Sequence, residues 1–552
     1  DASPGSNGLW SGWFRRTTPL MLDSAEMGTL VLGRTNGWLR ESITGLFQNV
    51  FLTVPGFTAW SPVTLALTNC RVRLPDAFQL HVGSDVLLTT NSGLLIFSNA
   101  DFTCGGDMVV RGGELVLGTP TQVVCGGNMT LQQGGRLYVI SLPTNGGTMH
   151  GSLVTISNDL SISGASWIFP YSQPSNGGSV LFTMSNLLVE TNSGFNADTL
   201  GFGWRRNGGG DGAGPGRGFY HPSRGSGAGY GGQGGWSYWG GWNVSGGVTY
   251  ASASVPLMPG SSGGMVDSGR PGACGGGLIW LDVASNATIR GRITANGGQS
   301  GYNAGAGSGG AVFLLCDSIA GTTNGLLAAE GGAGVNIGDG GGAGGGGRIA
   351  VSVGMSRADR DDLVAGSPLV RLVTYTNHSP APLRLSVSTN AHGANYSGQD
   401  WRGPQVGTFA FQTTRRILTV NGDPGPYGLP APDGYGPTPD YADDVEITNT
   451  VVSPADETYG QRRACIGWSL ADLAGSPITN DVNTQAVFTL TTNIVLTWHW
   501  TNEYRLVLTN SSGGTVNSET NGWYTNGVTV EAVATQADGY VFFQWTGDVP
   551  SG

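Results

Sequence analysis

The sequence contains no lysine: all 26 of its basic residues are arginine. That excludes a Walker-type phosphate loop, a Schiff-base lysine and a kinase-type lysine, each of which needs the ammonium group. Lys–Asn isopeptide crosslinks are excluded as well. Charge of either sign is scarce, at 11% of residues against about 25% in ordinary soluble proteins. The balance is acidic, net −11, and basic runs are missing, which argues against a nucleic-acid partner. No run of about 18 apolar residues occurs, so no membrane-spanning helix is expected. The six cysteines (Cys70, Cys104, Cys125, Cys274, Cys316, Cys465) form no CxxC pair. A zinc cluster or thioredoxin motif is therefore not indicated, and buried thiols or one or two disulfides are expected. The six histidines (His81, His150, His221, His378, His392, His499) are scattered, without HExxH, and read as surface or strand polar positions. Helical periodicity is almost missing. One short charged helix is expected over residues 356–363, behind a serine cap.

What is there in excess is glycine, 96 of 552 residues. The glycines do not recur every third residue, which excludes collagen. Between them lie apolar and β-branched runs of four to seven residues, bounded by Gly, Asn, Asp and Ser. These read as short strands. The fold class expected is all-β: a right-handed parallel β-helix, a glycine-rich polyglycine-II-like block, and small β-sandwich-like repeat modules at the C-terminus. The chain opens on Asp1 rather than Met, which suggests a processed start.

Residues 1–60 carry Trp10, Trp13, Phe14 and Trp38 and are expected to form a cap or docking region. Residues 61–200 are expected to be the solenoid. Cys104-Gly-Gly-Asp-Met108 recurs as Cys125-Gly-Gly-Asn-Met129, 21 residues later. Gly112-Gly113-Glu-Leu-Val-Leu117 recurs as Gly134-Gly135-Arg-Leu-Tyr-Val139 after 22. Two strands and two turns in that length suit one coil of a parallel β-helix. Stacking would set Cys104 above Cys125 in a ladder of small side chains. Residues 201–352 form the glycine-rich block; 49 of the 96 glycines fall within 201–350. Gly276-Gly277-Leu-Ile-Trp-Leu281, Gly309-Gly310-Ala-Val-Phe-Leu314 and Gly346-Gly347-Arg-Ile-Ala-Val351 begin successive units. The glycine runs between them are either loose loops or packed three-fold polyglycine helices whose backbones bond to one another. Aromatics within the runs favour packing.

These units resemble the glycine-rich domains of secreted bacterial surface proteins and, more distantly, the extracellular glycine-rich domain of anaplastic lymphoma kinase. The resemblance implies polyglycine-II packing on a β scaffold and no catalysis. Residues 353–405 read as a connector, 406–503 as one β module and 504–552 as a second, apparently incomplete one. Gly522-Trp-Tyr-Thr-Asn-Gly-Val-Thr-Val530 and Gly539-Tyr-Val-Phe-Phe-Gln-Trp-Thr-Gly-Asp548 resemble the internalin-type B-repeat of bacterial surface proteins. That implies small β modules serving as spacers, stalks or adhesive surfaces. The first module departs from the pattern by an insert around Asp423–Asp444. The last stops soon after Trp545, so a longer gene product or a strand supplied by a neighbouring chain is expected.

Candidate sites follow from composition. Asp433, Asp440, Asp443, Asp444 and Glu446, near Asp423, lie in a Pro/Gly-rich loop that reads as a solvated loop or, without the EF-hand order, as hard oxygen ligands for calcium. Trp10, Trp13, Phe14, Trp498, Trp500 and Trp545 are candidates for assembly and docking. Trp204, Trp236, Trp239 and Trp242 are candidates for glycan stacking. No catalytic set is singled out. The expectation is a secreted, non-enzymatic structural protein of a bacterial cell surface, a fibre protomer or an adhesin stalk. It would assemble head-to-tail with copies of itself by strand addition. The alternative is a β-helix protein that binds or cleaves a surface polysaccharide.

Overall fold

The structure is a computed structural model. It describes residues 28–33, 39–144, 149–203, 210–239, 242–266, 271–301, 303–334, 341–355, 357–366, 373–375, 383–388, 403–413, 416–441, 445–473, 475–517 and 520–547. Two compact units divide the chain, residues 1–413 and 414–552.

The first unit is a parallel β-helix. Each coil contributes one strand to each of three sheets, as in Gln79–Val82, Val86–Leu88 and Gly93–Ile96, followed by Asp101–Cys104, Met108–Arg111 and Glu114–Gly118. The sheets reach 11, 9 and 11 strands. Every pairing in them is parallel except that of Val373–Tyr375 with Thr408–Thr413 at one end. A coil therefore holds three strands in 21–22 residues, not two. The repeated Cys-Gly-Gly motif marks the corner between the first and second sheets. Stacking is like on like: Cys104 pairs Cys125, Met108 pairs Met129, and Leu115 pairs Leu137. All six cysteines are free thiols. The hydrogen bond with Cys125, together with burial, holds the Cys104 thiol well above its ordinary range.

The corner after the first sheet is fastened by a ladder of side-chain carbonyls. Asp85 Oδ1 accepts from the Asp107 amide (2.8 Å), Asp107 Oδ1 from the Asn128 amide (2.7 Å), and Asn128 Oδ1 from the Asp159 amide (3.3 Å). It runs on through Asp159 to the Asn186 side-chain amide (2.8 Å), and from Asn186 Oδ1 to the Asn286 amide (3.1 Å). Each coil thus satisfies a turn donor of the next.

Solenoid strands extend well beyond residues 61–200. Gly28–Val31, Ser42–Thr44, Val50–Thr53 and Ala59–Trp60 already belong to the three sheets, so the described part of the expected 1–60 cap is solenoid coil; residues 1–27 lie outside the described residues. Leu278–Val283, Ala311–Cys316, Arg348–Val353 and Thr408–Thr413 continue the first sheet. Arg384–Ser386 continues the third. The glycine-rich block and the connector are therefore the same solenoid, interrupted. Four long excursions leave at one corner, between a third-sheet strand and the next first-sheet strand: residues 197–277, 295–310, 329–347 and 387–407; a fifth, 354–383, carries the helix and leaves from the first-sheet strand Arg348–Val353. The change shows in the strands as well. Gln79–Val82 and Asp101–Cys104 bury alternate residues, whereas Leu278–Val283 and Ala311–Cys316 are buried throughout. Alternation is lost where both faces of a sheet are covered. Outward Leu278, Trp280, Phe313 and Leu315 form a second core with Tyr230, Met355 and Leu363.

The excursions pack as a lattice. From Gly305 to Gly310 successive amides point to three neighbours in turn. Gly305 and Ser308 donate to Gly264 and Ser261, Ala306 and Gly309 to Gly342 and Gly345, and Gly307 and Gly310 to Gly298 and Ala295. The carbonyls face three other segments: Gly305 and Ser308 accept from Ala273 and Gly276, Ala306 from Ala228, and Gly307 from Gly332. One segment thus bonds to six others with a period of three residues, the symmetry of a polyglycine-II helix. The packed reading of the glycine runs holds and the loose-loop reading fails here. The one helix among the described residues, Arg357–Ala365, lies where the 356–363 expectation put it. Buried Arg360 ties it to the first sheet, donating to Asp282 Oδ1 (2.9 Å) and to the Val283 carbonyl (2.7 Å).

The second unit is a mixed seven-stranded sheet, with the pair Val445–Thr450 and Gln485–Leu490 as a second layer. Ile447 and Leu490 join Leu418, Val420, Leu470, Leu496 and Trp498 in one core. Its central strand, Ile494–Leu506, pairs with Gln461–Asp472 along most of its length and with Gly522–Thr525 at its end. The two expected modules share this strand, so a boundary at 503/504 falls inside it.

Candidate functional sites

The acidic loop does not converge in the described residues. Asp433 accepts a hydrogen bond from the Tyr441 hydroxyl. Burial, reinforced by that bond, raises the phenol well above its ordinary range. Glu446 is exposed on Val445–Thr450, opposite Thr489. The Asp440 side chain, Asp443 and Asp444 lie outside the described residues. Among the described residues no group of three His, Cys, Asp or Glu side chains is placed to hold a metal ion.

The aromatic candidates separate. Trp10, Trp13, Phe14 and Trp204 lie outside the described residues. Trp236 is half-buried. Trp239 and Trp242 are register partners in the hairpin Ser237–Trp239/Trp242–Val244, with side chains outside the described set. Trp498 and Trp500 are not docking residues but core: their exposures are 0% and 4%. Their indoles donate to Asn449 Oδ1 (3.1 Å) and to the Tyr435 hydroxyl (3.2 Å). The side chains at 494, 496, 498 and 500 all point inward, as alternation requires.

Trp545 differs. It is half-buried, its ring 5.5 Å from that of Phe542. The segment before it is open: Tyr540, Val541, Phe542 and Phe543 are 55%, 85%, 47% and 88% exposed, and none lies in a strand. With Val507–Val516 and Ala534–Gln536 it borders a cleft of about 570 Å³. An exposed apolar segment outside any strand is a surface for strand pairing.

One constellation escaped the sequence reading. On the solvent face of the large sheet, Ser469 Oγ lies 2.8 Å from His499 Nε2, and His499 Nδ1 lies 3.2 Å from Asp423 Oδ2. The residues come from three adjacent strands, Gln461–Asp472, Ile494–Leu506 and Arg416–Asp423. In the tautomer protonated at Nδ1, that nitrogen donates to the carboxylate and Nε2 accepts from the serine hydroxyl. His499 thus occupies the strand polar position expected of it. Asp423, grouped by sequence with the calcium candidates, faces this histidine. Only three-dimensional register joins residues 46 and 30 positions apart.

No family model, curated protein or solved structure matches the chain.

Proposed function

We propose that this chain is a secreted structural protein of a bacterial cell surface, the protomer of an extracellular fibre or the stalk of an adhesin. The observation that carries the reading is the in-register stack of coils, buttressed along one corner by the polyglycine lattice. Continuous backbone ladders resist bending because any local opening must break hydrogen bonds in several coils at once. The resemblances of the glycine-rich and C-terminal segments to bacterial surface proteins support a cell-surface location. The open apolar segment Tyr540–Phe543 supplies a head-to-tail contact made by strand addition between copies.

Negative-stain electron microscopy over a concentration series tests it. Filaments that lengthen with concentration, and that are lost in a Val541→Asp/Phe543→Asp variant with unchanged circular dichroism, are the expected result. Single particles at every concentration would overturn the filament and leave the stalk. A second reading, polysaccharide binding, is favoured by the Trp239–Trp242 pairing. Binding to a glycan array that disappears in Trp239→Ala/Trp242→Ala would support it.

A further inference from the structure

We propose that Ser469, His499 and Asp423 form a Ser-His-Asp hydrolase site acting on small, solvent-displayed acyl esters. The proposal is independent of the filament reading and departs from the expectation of no catalysis. Such triads are recognised by geometry and role rather than by order in the chain. Here the 2.8 Å and 3.2 Å contacts run in the required sequence, from hydroxyl to Nε2 and from Nδ1 to carboxylate. The supports are rigid. Between the three side chains the strands send Val420, Trp468, Leu470, Leu496 and Trp498 into the core, each no more than 6% exposed. A site built on packed strands holds its geometry better than one built on loops.

The surroundings leave room for a substrate. The residue across from His499 is Gly467, which follows a bulge at Ile466, so no side chain covers the ring from that strand. A Cβ at Gly467 would stand 2.2 Å from the Asp481 carbonyl and 2.8 Å from Val482 Cα, so the 481–482 backbone bounds that side and the site opens on the side of exposed Asp423. Ser469 lies between two register partners, Asn480 and Thr497. Directly paired strand residues share a face. Asn480 therefore lies within reach of an oxyanion formed at Ser469, the part played by a side-chain amide in some serine hydrolases. The face is open and polar, with His499 35% and Asp423 66% exposed. It suits an acetyl-sized group carried on a larger molecule rather than a long acyl chain.

In the reaction Ser469 Oγ bonds to the ester carbonyl carbon as its proton passes to His499 Nε2. The carbon–oxygen bond to the alcohol then breaks, and the alcohol leaves with that proton. Water, deprotonated by His499, attacks the acyl-serine. The carboxylic acid departs and the proton returns to Ser469 Oγ. Ser469 and His499 are the catalytic residues. Asp423 is a positioning residue that holds the imidazole.

The test is labelling of the intact chain with a fluorophosphonate probe, mapped by peptide mass spectrometry, alongside p-nitrophenyl acetate turnover. The expected result is label on Ser469. It should be absent in Ser469→Ala, slowed about 10²-fold or more in His499→Ala, and slowed about tenfold or more in Asp423→Asn. All three substitutions lie on the solvent face, so circular dichroism should not change. Should His499→Ala fail to fold, His499→Gln replaces it. No label on Ser469, or label equally fast without the imidazole, would overturn the proposal.

Discussion

The polyglycine lattice makes a sharp prediction at Gly307. A methyl group there would stand 1.9 Å from the Cys274 carbonyl oxygen and 2.5 Å from its carbon. These are backbone atoms, so no side chain can swing away. The segment 272–277 must retreat by about 1 Å or more to reach ordinary contact. That segment is tied to the same neighbour through the amides of Ala273 and Gly276, and the retreat strains both bonds. Overpacking costs about 1–3 kcal/mol, and two lost hydrogen bonds cost about 1 kcal/mol each. Gly307→Ala should therefore destabilise the lattice by about 3–5 kcal/mol. Gly301→Ala is the control. Nothing lies within 4 Å of that position, and restricting the unfolded chain should stabilise by up to about 1 kcal/mol. Native-state hydrogen exchange reads the difference directly. The amides of Ala306 and Gly309 should exchange about 10²- to 10⁴-fold faster in Gly307→Ala and no faster in Gly301→Ala. Equal exchange in the two variants would mean that these runs are loose loops, and the lattice argument would fail.

Two further outcomes follow from buried charge. Arg360→Ala leaves Asp282, 8% exposed, without its buried partner. It should lower stability by about 3–5 kcal/mol in chemical denaturation, and Arg360→Met combined with Asp282→Leu should recover much of that loss. Burial raises the Asp198 carboxyl above its ordinary value even though it accepts from the Asn296 amide at 2.7 Å. The folded state then holds this proton more tightly than the unfolded one, so this group's contribution falls as pH rises from about 3.9 through its folded pKa. Asp198→Asn should raise the melting temperature at pH 7, and the gain should shrink in melts taken at successively lower pH.

The coil repeat was legible because Cys104 and Cys125 sit on the same corner of adjacent coils, where stacking imposes identical turns. The third strand escaped because Asp101–Cys104 and Gln122–Cys125 share only Cys at their ends; inward positions ask for volume, not identity. The glycine-rich block read as a separate domain because composition changed at residue 201, yet the sheets pass through it with excursions at a single corner. Trp498 and Trp500 read as surface aromatics because a strand of alternating Thr, Trp and His does not say which face is covered. Leu490 and Ile447, from the second layer, decide that. The Ser469–His499–Asp423 set left no motif, since its members meet only through the register of three strands.

The six-fold bonded glycine segments bury peptide groups in place of side chains, and this bears on heat capacity. Exposing apolar surface raises the heat capacity of unfolding, whereas exposing polar surface lowers it. Most globular cores fall in the first category, so their stability curves bend and weaken in the cold. A core of backbone amides and carbonyls falls in the second. The lattice around Gly305–Gly310 should have a nearly flat stability curve and hold its structure at temperatures where a hydrophobic core of equal size begins to loosen.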